Sequence, residues 1–572
     1  MSPISEPHKT RVIVIGAGAA GLACAAKLSR ANLAVTLLEA SDRVGGRAFT
    51  SSWDEGDDSV LEMGATWLHG TQGHPLYGLA HAHGLLGAPS GGAASPVADG
   101  EASLVAGGCM LPGGERADDG AMRGARRELE ELMEETLGFT EKADADAESV
   151  GGWVRQRFLS VGGGGRSALE RAALAWRLRM EASISGGPAS DLSLRWFGEY
   201  QELEGGNRRV GAMQRVLEAA AATLPKGALR LSARVTAIEW APAPPMAGGS
   251  AGDGVAGECV RVRLQGGEEL EAEAVVLTCS LGVLRHHVLP PQKPLHGGAA
   301  EHTGAHDGAG AAGSARGDGD GDGDGDGSDG SDGSDGGDGG DGSGCGDGGG
   351  FFSPPLPEAK ADAISRLKMG TVNKVFVQWP RRWWRRRASF TLLWPEGEES
   401  DTEGGGGGGA ARALLRRHGL PEWALGFYQI GPDRAAGDTT LVAWVVGEGA
   451  AAIEALPEGE LERVVLGVLG LFLGSPPPCP TRLRTSSWAS DPLHYGAYSY
   501  VPCGGSGADY DALAAPLCDG GGAPRLLFAG EACHRTFYST LHGAWLSGEQ
   551  AALLLEAQAG APHAPHATHA AQ

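Results

Sequence analysis

The spacing of hydrophobic and polar residues predicts short buried strands, an alternating hairpin and amphipathic helices. The runs VIVI at 12–15 and AVTLL at 34–38 predict buried strands, and the alanine-rich stretch between them predicts a helix. Further along, VRVRLQGGEELEAEAVVLT alternates around Gly266–Gly267 and ends in another buried strand. Helical periodicity in RRELEELMEETL, within 125–181, completes a mixed α and β pattern.

A glycine fingerprint lies between the first predicted strand and the first predicted helix. Gly16 permits a tight turn, Gly18 lets the backbone approach a pyrophosphate, and Gly21 lets the helix pack on the strand. Glu39 ends the second strand, where a carboxylate accepts hydrogen bonds from ribose hydroxyls. The pattern predicts a dinucleotide cofactor, and at this point NAD(P) and FAD both satisfy it.

Buried strands recur in three distant stretches, which predicts a discontinuous nucleotide-binding domain. We assign to it residues 8–84, 206–290 and 508–560. The intervening residues 85–205 and 351–507, which include the strand signals VNKVFVQW, WALGFYQI and TTLVAWVV, form a predicted substrate-binding domain. The fold class expected is α/β, and α+β overall.

The formal net charge of −24 is concentrated in one segment. Residues 297–350 hold twelve Asp and one Glu against one Arg, which gives −12. Because this Gly/Asp-rich segment lacks an apolar pattern, residues 291–350 are predicted to be a disordered insertion, with calcium binding by its Gly-Asp repeats as a minor alternative. The charge would repel nucleic acid, so no nucleic-acid partner is expected.

Several other classes of protein are disfavoured by the sequence. No apolar run approaches 18 residues, so no membrane association is expected, and the apolar stretch at 461–473 suits a core helix. The nine cysteines have no CxxC spacing, and HExxH and Walker A motifs are absent, so no metal site is expected. The stretch MSPISEPHKT has no apolar segment and the chain ends without a peroxisomal tripeptide, which makes the cytoplasm the expected location.

Five blocks of sequence carry a resemblance to a known family. They are RVGGR (43–47), LEMGATWLHGTQGHPLYGLA (61–80), RLKMGTVNKVFVQW (366–379), SSWASDPLHYGAYSYVPCG (486–504) and LLFAGEACHRTFYSTLHGAWLSG (526–548). Together with the fingerprint they resemble the flavin-dependent polyamine oxidases of the flavin monoamine oxidase family, and the spermine oxidases most closely. The resemblance implies FAD, held by a Rossmann-like domain of the glutathione-reductase and amine-oxidase type with an inserted substrate-binding α+β domain.

The resemblance also implies a set of residues around FAD. Those already introduced are Gly16, Gly18, Gly21 and Glu39. The others are Arg47 at the pyrophosphate, Val235 whose backbone holds the adenine, Trp488 beside the isoalloxazine, Glu531 at the ribityl or phosphate region, and Thr540 and Leu541 at the pyrimidine end. The family's Pro/Gly-Gly-Met element is shortened at residues 205–216 of this chain, which affects the expected wall of the substrate channel.

Three residues match catalytic positions of the family: Lys374, which would hold a water against flavin N5, Tyr498, which would face the substrate amine, and His69 near the substrate channel. His69 would orient the substrate or set a pH dependence, while the residues alone also allow an exposed strand lysine and a structural histidine. Trp67 is a candidate channel wall. Acidic candidates for the substrate's ammonium groups are Glu199, Glu202 and Glu204, which could equally form a solvated acidic edge.

The chemistry requires an uncharged amine, because its nitrogen lone pair must be free when the neighbouring carbon loses a hydride equivalent. Deprotonating an amine of pKa roughly 10 at pH 7 costs about 4 kcal/mol, and an aromatic, water-poor pocket reduces that cost. The resemblance implies oxidation of a secondary amine of spermine-like polyamines to an imine, which hydrolyses to an aminoaldehyde and a shorter polyamine, with O2 reduced to H2O2. The alternatives are a lysine-specific histone demethylase and an inactive FAD-containing polyamine-binding or scaffold protein.

Overall fold

The glycine fingerprint folds as a strand, a turn and a helix in the computed structural model, which describes part of the chain. The described residues are 9–87, 108–140, 148–160, 165–240, 259–290, 350–384, 390–396, 409–433 and 435–560. The predicted Gly/Asp-rich insertion therefore lies outside the described residues, apart from Gly350.

Strands and helices are interspersed along the described residues. The strands are β1 Arg11–Ile15, β2 Ala34–Leu38, β3 Thr50–Ser51, β4 Leu61–Glu62, β5 Trp67–Leu68, β6 Cys109–Met110, β7 Arg208–Arg209, β8 Leu229–Arg230, β9 Val235–Glu239, β10 Val260–Leu264, β11 Glu269–Ala272, β12 Ala274–Leu277, β13 Phe352–Ser353, β14 Lys368–Gly370, β15 Val372–Gln378, β16 Phe390–Leu392, β17 Phe427–Pro432, β18 Thr440–Val446, β19 Arg482–Thr485, β20 Tyr498–Tyr500, β21 Leu517–Cys518 and β22 Pro524–Phe528. The α-helices are α1 Ala19–Arg30, α2 Tyr77–Ala82, α3 Asp119–Thr136, α4 Val150–Ser160, α5 Ala168–Ser185, α6 Met213–Ala221, α7 Leu281–Val288, α8 Glu358–Arg366, α9 Gly409–Arg417, α10 Gly447–Glu454, α11 Glu458–Leu473, α12 Ala508–Ala514 and α13 Leu541–Gly560.

The first sheet has the strand order β21-β22-β12-β1-β2-β8 and is mostly parallel. Its central strands are buried apolar runs because helices cover a parallel sheet on both faces. Gly548 lets α13 approach α1 closely, since a Cβ at this position would lie 2.0 Å from the Ala20 carbonyl oxygen. This sheet confirms the strands predicted from the VIVI, AVTLL and VVLT runs, although in AVTLL only Leu37 and Leu38 are buried.

The second sheet has the order β19-β15-β18-β17-β16-β6 and is mostly antiparallel. It confirms the predicted strands VNKVFVQW and TTLVAWVV. The predicted strand WALGFYQI was wrong in its first half, where Glu422–Gly426 forms a 3-10 helix. Gly426 packs closely here, because a Cβ on it would lie 3.2 Å from the Cα of Gly449 in α10.

Two helices behave as their patterns predicted. Helix α3 contains the RRELEELMEETL stretch except for its last residue, Leu137. It begins after an Asp118 cap whose carboxylate accepts from the N–H of Ala121, and it buries Leu129. Helix α11 covers the apolar stretch at 461–473 and lies in the core with Val464 and Leu469 buried. Among the described residues, no helix combines the length and apolar character needed to cross a bilayer.

The strands of the first sheet all come from the predicted nucleotide-binding ranges, and those of the second all come from the predicted substrate-binding ranges. Both sheets belong to one compact unit of the described residues. The division of this unit into two domains at the proposed boundaries stays a prediction. The mixed α/β architecture itself is confirmed.

Candidate functional site

The glycine turn leaves open space beside Gly18. The N–H of Gly16 donates to the Leu38 carbonyl oxygen at 2.7 Å, and the φ of +103° at Gly16 favours glycine. A Cβ at Gly21 would lie 1.8 Å from the Gly16 carbonyl oxygen, whereas a Cβ at Gly18 would have no atom within 4 Å. Gly21 therefore serves packing, and the gap beside Gly18 fits a phosphate group at the start of α1.

A second glycine pair, in the RVGGR block, crosses the first turn. The N–H of Gly45 donates to the Ala17 carbonyl oxygen at 2.9 Å, and a Cβ at Gly46 would lie 3.6 Å from the Cα of Gly18. Arg43 secures this loop, because its Nη1 donates to the Gly46 carbonyl oxygen at 3.0 Å. The two glycine loops form a cradle of bare backbone, as a pyrophosphate requires.

Glu39 lies against the same turn and is buried. Its Oε2 accepts from the N–H of Ala17 at 2.6 Å, and its Oε1 accepts from the N–H and the hydroxyl of Ser41, each at 2.9 Å. A carboxylate offers about four acceptor sites, so capacity remains for ribose hydroxyls. The N–H of Ala233 donates to the backbone oxygen of Glu39 at 2.8 Å. Val235 follows Ala233 by two residues, so the segment that contains it begins next to Glu39.

The partly buried Arg47 and the buried Glu531 form an ion pair with 2.8 Å between Nη1 and Oε1. Glu531 Oε2 also accepts from the hydroxyl of Ser499 at 2.6 Å and from the N–H of Ser539 at 3.0 Å. The pair therefore connects the RVGGR block to the end of β22 and the turn before α13. Sequence reasoning missed Ser499, although it directly follows Tyr498 in a matched block.

The turn that precedes α13 contains Thr540, and Leu541 begins the helix. The Thr540 hydroxyl donates to the Phe537 carbonyl oxygen at 2.6 Å and accepts from the N–H of Gly543 at 2.9 Å, so it caps the helix. Ser539 has a φ of +64°, which turns its N–H toward Glu531. The partial positive end of α13 thereby lies next to the ion pair.

Lys374 is buried in β15 rather than exposed as an isolated strand lysine would be. Its Nζ donates to the carbonyl oxygens of Glu62 and Gly64, at 2.7 and 2.6 Å, and to the hydroxyl of Thr66 at 2.6 Å. Burial lowers the pKa of Lys374 to about 8, and the nearby Glu62 carboxylate opposes this shift. Since an ammonium has three N–H donors, holding a water would require Lys374 to exchange one of these bonds.

Glu62 is a fully buried carboxylate that the sequence reasoning missed. Its Oε1 accepts from the N–H of Met213 at 2.8 Å and its Oε2 from the hydroxyl of Thr50 at 3.0 Å. Burial raises the pKa of Glu62, and the hydrogen bond from Met213 opposes the rise. Glu62 thus connects the lysine to the start of α6, where Ala212 has a φ of +66° within the shortened segment. Its position inside the matched block LEMGATWLHG was the available signal.

Trp488 and Lys374 meet at the same loop. The indole Nε1 of Trp488 donates to the Met63 carbonyl oxygen at 3.2 Å, and a Cβ at Gly64 would lie 3.1 Å from Cζ2 of Trp488. Tyr498 begins β20, its hydroxyl donates to the Ser183 carbonyl oxygen, and burial raises its pKa. The structure therefore brings Lys374 and Trp488 together, and the tyrosine stays a neutral phenol.

His69, which is partly buried, lies near two buried histidines, His74 and His542. The rings of His74 and His542 are 5.1 Å apart, and His69 Nδ1, His74 Nε2 and both ring nitrogens of His542 have no hydrogen-bond partner within the described residues. Burial lowers the pKa of His69 and of His74 to about 4 and that of His542 to about 3, with the neighbouring histidines adding to the shifts of the last two. All three are uncharged at neutral pH. If His69 sets a pH dependence of the activity, that dependence appears only at acidic pH, near its pKa of about 4.

Acidification should therefore destabilise the folded protein. A histidine whose pKa lies near 4 when folded and near 6.5 when unfolded takes up a proton only on unfolding in this window, so stability present above pH 6.5 is lost as the pH falls toward 4. From pH 7.5 to 5.0 one such histidine contributes a loss of about 2 kcal/mol. Urea denaturation at both values should show a smaller loss for His542→Phe than for the wild type, whereas the control His418→Gln, at an exposed position, should match the wild type. Equal losses in all three proteins would contradict the assignment.

The acidic candidates differ in their surroundings. Glu199 forms a bidentate ion pair with Arg535, with Oε1 2.5 Å from Nη2 and Oε2 3.1 Å from Nε. The Glu199 carboxylate is therefore already paired within the chain, unlike the substrate-binding carboxylate that the sequence suggested. Glu202 is exposed, yet partial desolvation raises the pKa of its carboxyl. Trp67 lies in β5, which pairs with β7 at Arg209.

Comparison with known proteins agrees with this geometry. The chain matches the family of flavin containing amine oxidoreductases over residues 19–311 and 351–555. It is 34% identical to polyamine oxidase 1 of Oryza sativa subsp. japonica, over 97% of this chain and 99% of that protein. It is 29% identical to the peroxisomal N(1)-acetyl-spermine/spermidine oxidase of Bos taurus, over 94% of this chain and 93% of that protein.

Solved structures share the fold. A putrescine oxidase bound to putrescine superposes with a TM-score of 0.59 at 19% identity, covering 96% of this chain and 99% of that chain. Cyclohexylamine oxidase from Brevibacterium oxydans gives a TM-score of 0.60 at 17% identity, covering 97% of this chain and 100% of that chain. The bare glycine cradle, the buried Glu39 and the Arg47–Glu531 pair fit the cofactor of this fold. The chain belongs to the flavin containing amine oxidoreductases and is an FAD-dependent amine oxidase.

Proposed function

We propose that this enzyme is a polyamine oxidase that oxidises a secondary amine of spermine-like substrates. The observation that carries the proposal is the buried Lys374, tied to the 62–66 loop beside Trp488. The similarity to polyamine oxidase 1 over nearly the full length of both chains supports the same substrate class. The products would be an imine, hydrolysed to an aminoaldehyde and a shorter polyamine, and hydrogen peroxide.

Bound FAD would supply the acceptor for the hydride equivalent and pass the electrons to O2. The protein's part is to hold the reacting nitrogen uncharged, and buried aromatic side chains such as Trp488 favour the neutral amine by desolvation. Tyr498 presents an uncharged ring, and its hydroxyl is engaged by the Ser183 carbonyl oxygen. We assign to Lys374 and His69 a role in positioning polar groups of the substrate site. His69 acts there as a neutral imidazole at pH 7.

The remaining ammonium groups of a polyamine need compensating charge. We assign Glu202 to this role, because Glu199 is already paired with Arg535.

Glu202→Gln should raise the KM for spermine by about twofold to fivefold, as expected for one exposed ion pair, and leave kcat unchanged. Steady-state oxygen consumption measures both constants. Glu134→Gln, at an exposed position on α3, is the matched control and should leave the KM unaltered. An unchanged KM in Glu202→Gln would remove this residue from the substrate site.

The proposed function is tested by mixing the purified yellow protein with single amines under argon. Spermine, spermidine and N-acetylated polyamines should bleach the flavin absorbance near 450 nm, and mass spectrometry of the aldehydes then identifies the bond that is cleaved. Putrescine, cyclohexylamine and a methyl-lysine peptide are the discriminating arms. Bleaching by the peptide alone would favour a demethylase, and no bleaching by any amine would favour the inactive binding protein.

A lysine-specific histone demethylase is the weaker alternative. The chain is 28% identical to lysine-specific histone demethylase 1 homolog 2 of Oryza sativa subsp. japonica, over 94% of this chain but only 56% of that protein. The cytoplasmic location stays a prediction, which fractionation of cells expressing the protein would test.

A further inference from the structure

His494 is a buried side chain beside the cofactor cradle that neither the glycine fingerprint nor the catalytic residues explain. Only 8% of the residue is exposed, and its Nδ1 lies 2.8 Å from Oδ2 of Asp491. Its Nε2, on the other edge of the ring, lies 4.0 Å from the point where a Cβ on Gly46 would be. That same point is 3.6 Å from the Cα of Gly18. The imidazole therefore faces the gap between the two glycine loops.

Several contacts hold the ring in this orientation. The Trp488 indole packs edge-on against it, with the ring centroids 5.2 Å apart. The hydroxyl of Ser280, which caps α7, donates to the backbone oxygen of His494 at 2.5 Å. The N–H of His494 donates to the Asp491 carbonyl oxygen at 3.0 Å. These bonds come from both sides of the residue, so the ring is oriented before any ligand binds.

Charged groups of both signs lie around the pair formed by His494 and Asp491. The Asp491 carboxylate faces Nδ1, and the Arg43 guanidinium lies close enough to Asp491 to interact with it electrostatically. Burial alone would raise the pKa of Asp491, but the hydrogen bond and charge of His494 lower it on balance. A carboxylate accepts only, so Nδ1 must carry a proton. Nε2 then either carries a lone pair, in the neutral ring, or donates a hydrogen bond, in the imidazolium.

We propose that His494 is a ligand of the FAD diphosphate, with its protonated Nε2 donating to a phosphate oxygen while Asp491 holds Nδ1. A lone pair at Nε2 would repel a phosphate oxygen, whereas an imidazolium between a carboxylate and a diphosphate is stabilised by both anions. FAD binding consequently takes up a proton wherever the free histidine is neutral. This inference needs FAD binding but is independent of which amine is oxidised, so a failed polyamine assay leaves it intact.

The test is the affinity of the apoprotein for FAD, followed by quenching of flavin fluorescence at pH 6.0 and 8.5. The wild type should bind FAD at least about tenfold more weakly at pH 8.5 than at pH 6.0, which is the size expected for one hydrogen bond to a charged group. His494→Gln should bind about tenfold more weakly at pH 6.0 and lose the pH dependence. The control His418→Gln, at an exposed position, should behave as the wild type. Equal affinity and equal pH dependence in His494→Gln and the wild type would overturn the assignment.

A second measurement needs no variant and so avoids any folding defect. Calorimetric titration of wild-type apoprotein with FAD at pH 8.0, in two buffers of different ionisation enthalpy, gives the number of protons taken up. We expect an uptake approaching one proton per FAD at a pH where the free histidine is neutral, and titrations are repeated from pH 6.0 to 10.0. No uptake at any pH in this range would show that His494 only packs against Trp488, and it would overturn the proposal.

Discussion

Replacing Lys374 by methionine should slow flavin reduction or reoxidation about tenfold or more. Methionine has a similar length and fills the space, so little cavity forms, but it donates no hydrogen bond. The carbonyl oxygens of Glu62 and Gly64 and the hydroxyl of Thr66 would lose their buried donor. Each unpaired buried acceptor costs about 1–3 kcal/mol, so the loop should shift to find water and disturb the neighbouring Trp488.

Anaerobic stopped-flow reduction by spermine, followed by mixing with oxygen, separates the two half-reactions. Lys368→Met is the matched control, because Lys368 lies in β14 with its side chain partly exposed and pairs with Asp191 at 2.7 Å. The control should keep both rates within about twofold, as expected for an exposed ion pair. Wild-type rates in Lys374→Met would remove the lysine from the active site and leave it a structural clamp of the loop.

Replacing Gly18 by valine should lower FAD affinity about 100-fold or more while leaving the apoprotein folded. Gly18 has φ −76° and ψ −173°, an extended conformation that valine readily adopts. Its Cβ would meet no atom within 4 Å, so no clash arises within the described residues. The methyl groups would occupy the gap that the pyrophosphate needs, and the loss should appear only on cofactor binding.

Two further glycine variants set the limits of this measurement. Gly21→Ala would place a Cβ 1.8 Å from the Gly16 carbonyl oxygen, so both folding and FAD binding should fail. Gly124→Ala, in the open on helix α3, should leave FAD affinity unchanged and raise stability by about 0.5–1 kcal/mol. Fluorescence titration measures affinity and urea denaturation measures stability. Wild-type FAD affinity in a folded Gly18→Val protein would exclude this gap as the pyrophosphate site.

Sequence reasoning worked best where function depends on neighbouring residues. The turn at Gly16–Gly21 and the carboxylate of Glu39 belong to one continuous strand–helix–strand unit, so spacing along the chain fixes their spacing in the fold. It worked less well for Glu199, because the Arg535 that neutralises it is 336 residues away. Glu62 was missed for a similar reason, since its partner Met213 lies 151 positions further along.

The amino-acid sequence by itself determined that the cofactor is a dinucleotide and where the buried strands lie, because these depend on local conformation and on periodicity. Only the tertiary structure decided which side chains are charged, paired or buried at the site. Burial lowers the pKa of Lys374, and the groups that hydrogen-bond its ammonium come from a loop 308–312 residues earlier in the chain. His494 reaches the cradle because the loop before β20 lies next to Gly46, and desolvation and pairing of this kind arise only when distant segments meet.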